Sequence, residues 1–431
     1  MTAHMPLQAR RRFATAEIIA VGSELLTPFR SDTNSLFLTA RLNELGIRVR
    51  HKTIVGDDGP DLAAAVQAAL GRVDLVVTSG GLGPTEDDLT RETVAELLGL
   101  KLVEQSFIVE SLEARFAATG RTMPCNNRRQ ALVPSGAVLL DNPRGTAPGL
   151  WLDIGDQVLV LLPGPPRELE PMFEGLSRDR LAERVSQERL YRRVLRVAGL
   201  GESHVEEKVA PIYSRWFDQD PAVDTTVLAS PGLVELHLST RATPSAATEA
   251  LDGLTQELAD LLGDKLVSTD GRSLSEVVGE LLRQNDLRVA VGESCTGGLV
   301  TAGLVDVPGS SLYVEAGVVA YSNEQKQSLL GVVPEILQTY GAVSEEVALA
   351  MAEGVRCLTG AELGVGVTGV AGPSGGGEAK PVGTVCLGVV GPGAAEVAKT
   401  VCLPGDRGMV RQQSTQTALN LLRLALLGRV D

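Results

Sequence analysis

The chain has 431 residues, 44% of them hydrophobic and 22% charged, which is enough apolar side chain for packed cores and predicts about three domains. Its 39 basic and 54 acidic side chains give a net charge of −15, and only 3% of residues are aromatic; both argue against direct nucleic-acid binding through a broad phosphate footprint or base stacking. The five cysteines (Cys125, Cys295, Cys357, Cys386, Cys402) are scattered and lack metal-ligand spacing, so a reduced, cytoplasmic protein without disulfides or a zinc site is expected. No apolar run reaches the length of a membrane span, and Glu17 breaks the only stretch near the start that could pass for a signal-peptide core.

Residues 1–15, with Arg10, Arg11 and Arg12, read as a flexible tail. A first domain over 16–176 follows, in which strands alternate with helices. "AEIIAVGSELL" is a strand into a Gly-Ser turn, "TNSLFLTARLNELGIRV" has helical spacing through Leu36, Leu38, Leu42 and Leu45, and "DLVVTS" is a buried strand. Such alternation implies a parallel sheet with right-handed crossovers. Residues 177–265 read as a small α+β module, with the alternating strand "LVELHLSTRA" and the amphipathic helix "TPSAATEALDGLTQELADLLG". A second, unrelated α/β domain spans 266–431. It starts with a Ser273/Glu276 capping box and ends in the helix "RGMVRQQSTQTALNLLRLALLG". The apolar stretch 414–427 of that helix predicts a homodimer.

The segment "SGGLGPTEDD" (79–88) lies between a strand and a helix. Gly80, Gly81 and Gly83 let the backbone approach a ligand, Thr85 offers a hydroxyl, and Asp87 and Asp88 offer hard oxygens to Mg²⁺ or a similar cation. Asp57 and Asp58 in "VGDDG" and Gly164, Arg167 and Glu168 in "PGPPREL" stand at other strand ends, and the carboxyl ends of parallel strands converge on one crevice. Carboxylates and glycine loops meeting there suggest a phosphate ester bound with a divalent metal, the candidate ligands being Asp57, Asp58, Asp87, Asp88 and Glu168. A Walker A lysine pattern does not occur. The plainer reading is a set of tight turns whose aspartates complement helix dipoles.

"VGSELL", "DTNS", "SGGLGPTEDDLT" and "NPRGTAPG" resemble the molybdopterin-binding, MoaB-like first domain of the CinA (competence/damage-inducible) family. The resemblance implies an ADP-ribose pyrophosphatase dependent on a divalent metal and potassium, and a KH-like middle module. Residues 177–265 offer no evident GXXG loop for RNA.

In the last domain, "GESCTGG" (292–298) joins strand to helix and brings Ser294, Cys295, Thr296, Gly297 and Gly298 together. A Cys–His pair is excluded there, because the four histidines (His4, His51, His204, His237) all lie upstream. Cys295 is better read as a small packed residue. Serine is then the nucleophile, and a buried lysine of lowered pKa can serve as its base; Lys326, Lys380 and Lys399 are the lysines present. Spacing alone leaves Ser311, in "VPGSS", and Ser294 both open.

"ESCTGG", "VPGSS", "YSNEQK", "GAVSEE", "TGVAGPSGG", "KPVGTV" and "PGDR" resemble the PncC-type nicotinamide-nucleotide amidase, which is the CinA C-terminal domain. The resemblance implies hydrolysis of nicotinamide mononucleotide (NMN) to nicotinate mononucleotide and ammonia, with no cofactor. By position it implies Ser311 as nucleophile, Lys326 as base, Tyr321 and Ser294 in the proton network, Thr368 and the Gly369–Gly372 loop on the substrate, and Arg407 on the phosphate. The fold expected is two unrelated three-layer α/β domains joined by a small α+β, KH-like module. Three functional readings compete: a two-activity pyridine-nucleotide hydrolase, an amidase whose first domain only binds nucleotides, and a non-enzymatic adaptor in competence or DNA repair.

Overall fold

Three strands of the first domain are largely apolar: Thr15–Val21, Leu75–Ser79 and Gln157–Leu162. Such runs suit strands covered on both faces. In a computed structural model describing residues 12–118, 120–185, 188–391 and 394–429, that is where they lie. Residues 1–11 of the expected tail fall outside the described residues.

The strands join a six-stranded sheet in the order Arg48–Val55, Thr15–Val21, Leu75–Ser79, Gln157–Leu162, Gly149–Ile154, Val138–Leu140. The first four are parallel and the last two antiparallel. Neighbouring residues point to opposite faces. Ile19, Val76 and Leu159 enter one core with Leu62 and Val66, whereas Ile18, Val77 and Val160 enter the other with Leu38, Leu42 and Phe173. Two helical layers therefore sandwich the sheet. The interrupting Glu17 is fully buried and receives the Arg72 guanidinium through Nε at 2.8 Å and Nη2 at 2.7 Å.

The small module has a four-stranded sheet ordered Val223–Ser230, Leu233–Ala242, Arg189–Ala198, Leu266–Ser268, with helices Glu202–Phe217 and Pro244–Leu262. The last domain has a five-stranded sheet ordered Val314–Val319, Val289–Glu293, Leu363–Gly369, Thr384–Gly391, Ala394–Cys402. Its first three strands are parallel and the rest antiparallel. Glycines decide how one helix layer sits. A Cβ on Gly364 or Gly366 would fall 2.0 or 1.9 Å from the carbonyl oxygens of Ala352 and Ala348, so helix Glu345–Thr359 rests directly on strand backbone. The opposite face packs Val289, Val291, Val365 and Val367 against Leu274–Gln284 and Arg407–Leu426.

The chain forms two compact units, Met1–Tyr191 with Arg241–Ala247, and Arg192–Thr240 with Thr248–Asp431. Among the described residues no helix is long and apolar enough to cross a membrane. The strands that sequence reading passes over include Val138–Leu140, Gly149–Ile154, Val223–Ser230 and Ala394–Cys402. All are antiparallel, three of them lie at a sheet edge, and short or half-exposed edge strands carry little apolar signal.

Candidate functional site

In the first domain the loop after strand Leu75–Ser79 is bent by glycine. Gly80 and Gly81 have φ of +115° and +67°, and a Cβ on Gly81 would lie 2.1 Å from Thr90 Oγ1. A Cβ on Gly83 would lie 2.2 Å from Asp88 Oδ2. That oxygen accepts from the Thr85 backbone N–H at 2.9 Å and from Thr85 Oγ1 at 2.5 Å, so Asp88 closes its own loop. Hydrogen bonding to Asp87 from the Thr85 side chain and from its own backbone N–H holds that exposed carboxyl below its usual range.

This loop borders a cleft of about 600 Å³ at the strand carboxyl ends. Of the predicted residues, Gly80, Gly81, Gly83, Gly164, Asp57, Asp87, Asp88 and Glu168 line it. Asp58 does not: its carboxylate caps helix Gly59–Leu70 by accepting from the Asp61 N–H at 3.0 Å, so its expected place among metal ligands is corrected to a helix cap. Asp57 Oδ2 accepts from the Ser23 N–H at 2.8 Å, and Glu168, 8% exposed, accepts from Asn142 Nδ2 at 2.9 Å. Among the described residues no group of three acidic, His or Cys side chains is placed to hold a metal ion. The cleft is nonetheless strongly negative, with Glu24, Asp32, Asp57, Asp87, Asp88 and Glu168 facing the single cation Arg30.

Sequence reasoning missed Arg30 and Asn34 as site residues. Asn34 Nδ2 donates to Ser79 Oγ at 2.8 Å and to the Gly164 carbonyl at 2.7 Å, tying two of the loops together. Its motif, "DTNS", was legible, but a tie between distant loops leaves no mark on spacing.

The last domain builds a different site, also at strand carboxyl ends. Strand Val289–Glu293 runs into a turn reversed by Gly297 and Gly298, whose φ values are +60° and +95°. Two anchors fix this turn. Buried Glu293 accepts from the N–H groups of Gly298 (2.8 Å), Val300 (3.2 Å) and Thr301 (2.9 Å), and Arg411 Nη2 donates to the Thr296 carbonyl at 2.7 Å. Ser294 and Thr296 are both buried, and the Thr296 hydroxyl has no partner among the described residues.

Lys326 comes from helix Asn323–Leu330, which Ser322 caps. It is only 2% exposed, and its Nζ donates to Ser294 Oγ at 3.1 Å and to the Tyr321 carbonyl at 3.1 Å. Neither partner is charged. Burial pushes the Lys326 ammonium below its usual pKa, and the acidic groups Cys295 and Glu324 offset this only in part. Burial likewise pushes the Cys295 thiol up to about 11. Exposed Tyr321 accepts on its hydroxyl from Arg407 Nη2 at 2.9 Å, while Arg407 Nη1 donates to the Gly372 carbonyl at 2.8 Å. Thr368, 1% exposed, donates inward to the Ala342 carbonyl at 2.7 Å, and Gly369 approaches Thr384 too closely for a side chain.

Ser311 is not part of this cluster. It sits in the exposed turn Ser310–Leu312, ahead of strand Val314–Val319, and makes no side-chain hydrogen bond among the described residues. That strand pairs with the Ser294 strand from Val314↔Val289 to Val319↔Glu293, so Ser311 lies at the opposite end of the sheet from Ser294. Six residues of strand put it roughly 20 Å from Lys326 within one chain. The pairing of Ser311 with Lys326 expected from motif position is therefore replaced by Ser294 with Lys326.

The family models match in the same order: a "Probable molybdopterin binding domain" over residues 17–183, the "Damage-inducible protein CinA KH domain" over 192–267 and the "CinA C-terminal domain" over 271–426. A "CinA-like protein" of Koribacter versatilis is 47% identical over 418 residues, covering 96% of this chain and 100% of the relative. The chain belongs to the CinA family. A second CinA-like protein, from Acidobacterium capsulatum, is 47% identical over 96% of the chain and 100% of its own length. The solved CinA of Thermoplasma acidophilum, described as of unknown function, is 33% identical, with a TM-score of 0.37, over 39% of this chain and 98% of its own. The KH match covers the middle module, which the motif resemblance implied to be KH-like.

Proposed function

We propose that the C-terminal domain of this CinA family member hydrolyses the carboxamide of NMN to nicotinate mononucleotide and ammonia, with Ser294 as nucleophile and Lys326 as base. The observation that carries this reading is the buried Lys326–Ser294 hydrogen bond, with no carboxylate bonded to the amine. A lysine kept from water and from a counter-charge is deprotonated at lower pH than usual, and its neutral amine can take the hydroxyl proton. Ser294 Oγ then attacks the carboxamide carbon. The C–N bond breaks as Lys326 returns that proton to the leaving nitrogen, which departs as ammonia. Water hydrolyses the resulting ester and restores the serine, with Lys326 again taking and returning a proton. The NMN substrate comes from the motif resemblance. The test is ammonia release from NMN by the full-length chain: the reading expects release from the wild type and none from Ser294→Ala, and a wild type that releases none overturns it.

The N-terminal cleft supports a second activity, hydrolysis of the pyrophosphate of ADP-ribose. Six carboxylates facing one arginine would repel a pyrophosphate, so the donor set fits a divalent cation shared between one or two aspartates and phosphate oxygens rather than a closed protein cage. Asp87 and Asp88 would hold such an ion, which supplies charge neutralisation of the phosphates. The glycine loop lets the backbone approach them. The reading keeps potassium as a further requirement, from the same resemblance.

A further inference from the structure

In a cleft so rich in carboxylates, a neutral carboxamide can offer N–H groups without adding a charge for the acids to capture. Two side-chain amides line the N-terminal cleft, Asn34 and Gln130. Asn34 has spent both amide hydrogens, on Ser79 Oγ and on the Gly164 carbonyl. Gln130 has not. It is 2% exposed, and its Oε1 accepts from Asn127 Nδ2 at 3.1 Å. Its Nε2 has no protein partner among the described residues, yet it is not sealed from solvent as the unpartnered Asn34 Oδ1 is. A buried amide is normally satisfied, so one left open only towards a cleft points to an acceptor on a ligand.

The backbone on both sides of Gln130 is fixed. The Arg129 carbonyl accepts from Arg91 Nη1 at 2.7 Å, and the Ala131 carbonyl accepts from the Gln105 N–H at 2.9 Å. Arg129 itself reaches back to the glycine loop, donating to the Thr85 and Asp88 carbonyls and pairing with Glu92 at 3.0 Å. The short helical turn Cys125–Ala131 therefore holds the loop and the amide in one frame. The surrounding field decides which end of the amide faces the ligand. Six carboxylates line the cleft, and they favour the positive NH2 end over the carbonyl oxygen.

We propose that Gln130 is a ligand-binding residue of the N-terminal cleft, its carboxamide N–H donating to a phosphate oxygen of a metal-bound pyrophosphate. The nature of the ligand rests on the second activity proposed above. The donor assignment is a statement about binding and does not need cleavage.

Calorimetric titration of magnesium pyrophosphate into the full-length chain tests the donor, with Mg²⁺ alone titrated as reference and each variant's melting temperature recorded. Gln130→Met removes the donor in nearly the same volume. Gln130→Glu keeps an oxygen for Asn127 and replaces the free nitrogen by an anionic oxygen. Affinity should fall from wild type to Gln130→Met to Gln130→Glu, by roughly 3–10-fold in the first variant and more than about tenfold in the second. Gln130→Glu binding at least as tightly as the wild type would make the amide an acceptor turned towards the metal and overturn the proposal. Equal affinities in folded variants overturn it too, as does a loss matched by an equal loss of Mg²⁺ binding, or a wild type that binds no magnesium pyrophosphate. The expected order in a chain that leaves ADP-ribose uncleaved upholds the donor and overturns the pyrophosphatase reading.

Discussion

The two sites of this chain solve opposite electrostatic problems. The N-terminal cleft gathers six carboxylates around one arginine and leaves its charge uncompensated by protein. The C-terminal site buries a single amine against a hydroxyl and a carbonyl, with no charge bonded to it at all. Under the proposed functions, the first arrangement would take a cation from solution before an anionic ester could enter, and the second would make its reagent internally, by keeping a lysine from water. Function in one domain should therefore depend on what is added to the solution, and in the other on pH.

The largest effect expected is at the dyad. Lys326→Arg keeps the charge and removes the base, because guanidinium stays protonated, and should lower turnover of NMN on the order of 10³-fold or more if base and nucleophile act as a unit. Ser294→Ala should match it. Ser311→Ala should stay within about threefold, since its hydroxyl lies at the far end of the strand. Rates at saturating substrate decide the ranking. A dead Ser311→Ala with an active Ser294→Ala would mean that the attacking serine arrives from a second chain.

Next comes the acidic cleft. Asp88 holds the Thr85 turn through two hydrogen bonds, and removing its carboxylate also removes a proposed metal donor. Asp88→Ala should cut metal-dependent cleavage of ADP-ribose about 10–100-fold. Deamidation should be unchanged, because the two sites share no residue. Chelation by EDTA should reproduce this split in the wild type. If EDTA spares ADP-ribose cleavage, the contrast between the two sites fails.

These contrasts also show what a sequence reveals. The glycine-rich turns and the alternating strands of both α/β domains were legible, because each leaves a local mark: a Gly-Gly pair or an apolar period. Asp58 and Ser311 were misplaced for a shared reason. Both sit in motifs of the right composition, but one aspartate of the "GDDG" pair caps its own helix and the serine of "VPGSS" precedes its strand instead of following it. Which end of a strand a loop occupies is set by sheet direction, and strand pairing is non-local. The brace that Arg411 gives the Thr296 carbonyl leaves no mark on the sequence, because a guanidinium on a long helix reads as surface until that turn is in place.

The pH response is smaller than either loss of function. Burial lowers the pKa of Lys326, so the neutral, active amine is already populated below the ordinary lysine range. The rate should rise about tenfold per pH unit on the acid side and level off at a midpoint below 10.5, as Lys326 loses its proton. The same shift acts on stability with the same sign. The unfolded chain binds the proton more tightly than the folded one, so this lysine destabilises the fold fully below its folded pKa, and the penalty fades as pH rises from there to the ordinary value of 10.5. A rate profile flat from pH 6 to 10 would show that a fully neutral base, or another group, does the work.

The smallest effect is expected at Cys295, next to the proposed nucleophile and 5% exposed. A thiol is chemically the stronger candidate for attack, but only as thiolate. With its pKa pushed up to about 11, the thiolate fraction at pH 7.5 is about 0.03%, against roughly a tenth for a thiol of ordinary pKa near 8.5. Burial that helps the lysine, by favouring its neutral form, disables the thiol by favouring its neutral form too; the same dry turn selects oxygen over sulfur. Cys295→Ala should thus change turnover by less than about threefold and cost on the order of 1 kcal/mol of stability for the lost packing. Iodoacetamide at pH 7.5 should label exposed Cys125, Cys357 and Cys402 well before Cys295, readable by peptide mass spectrometry. Rapid labelling of Cys295 that abolishes deamidation, together with an inactive but folded Cys295→Ala, would transfer the nucleophile's role from Ser294 to the sulfur beside it.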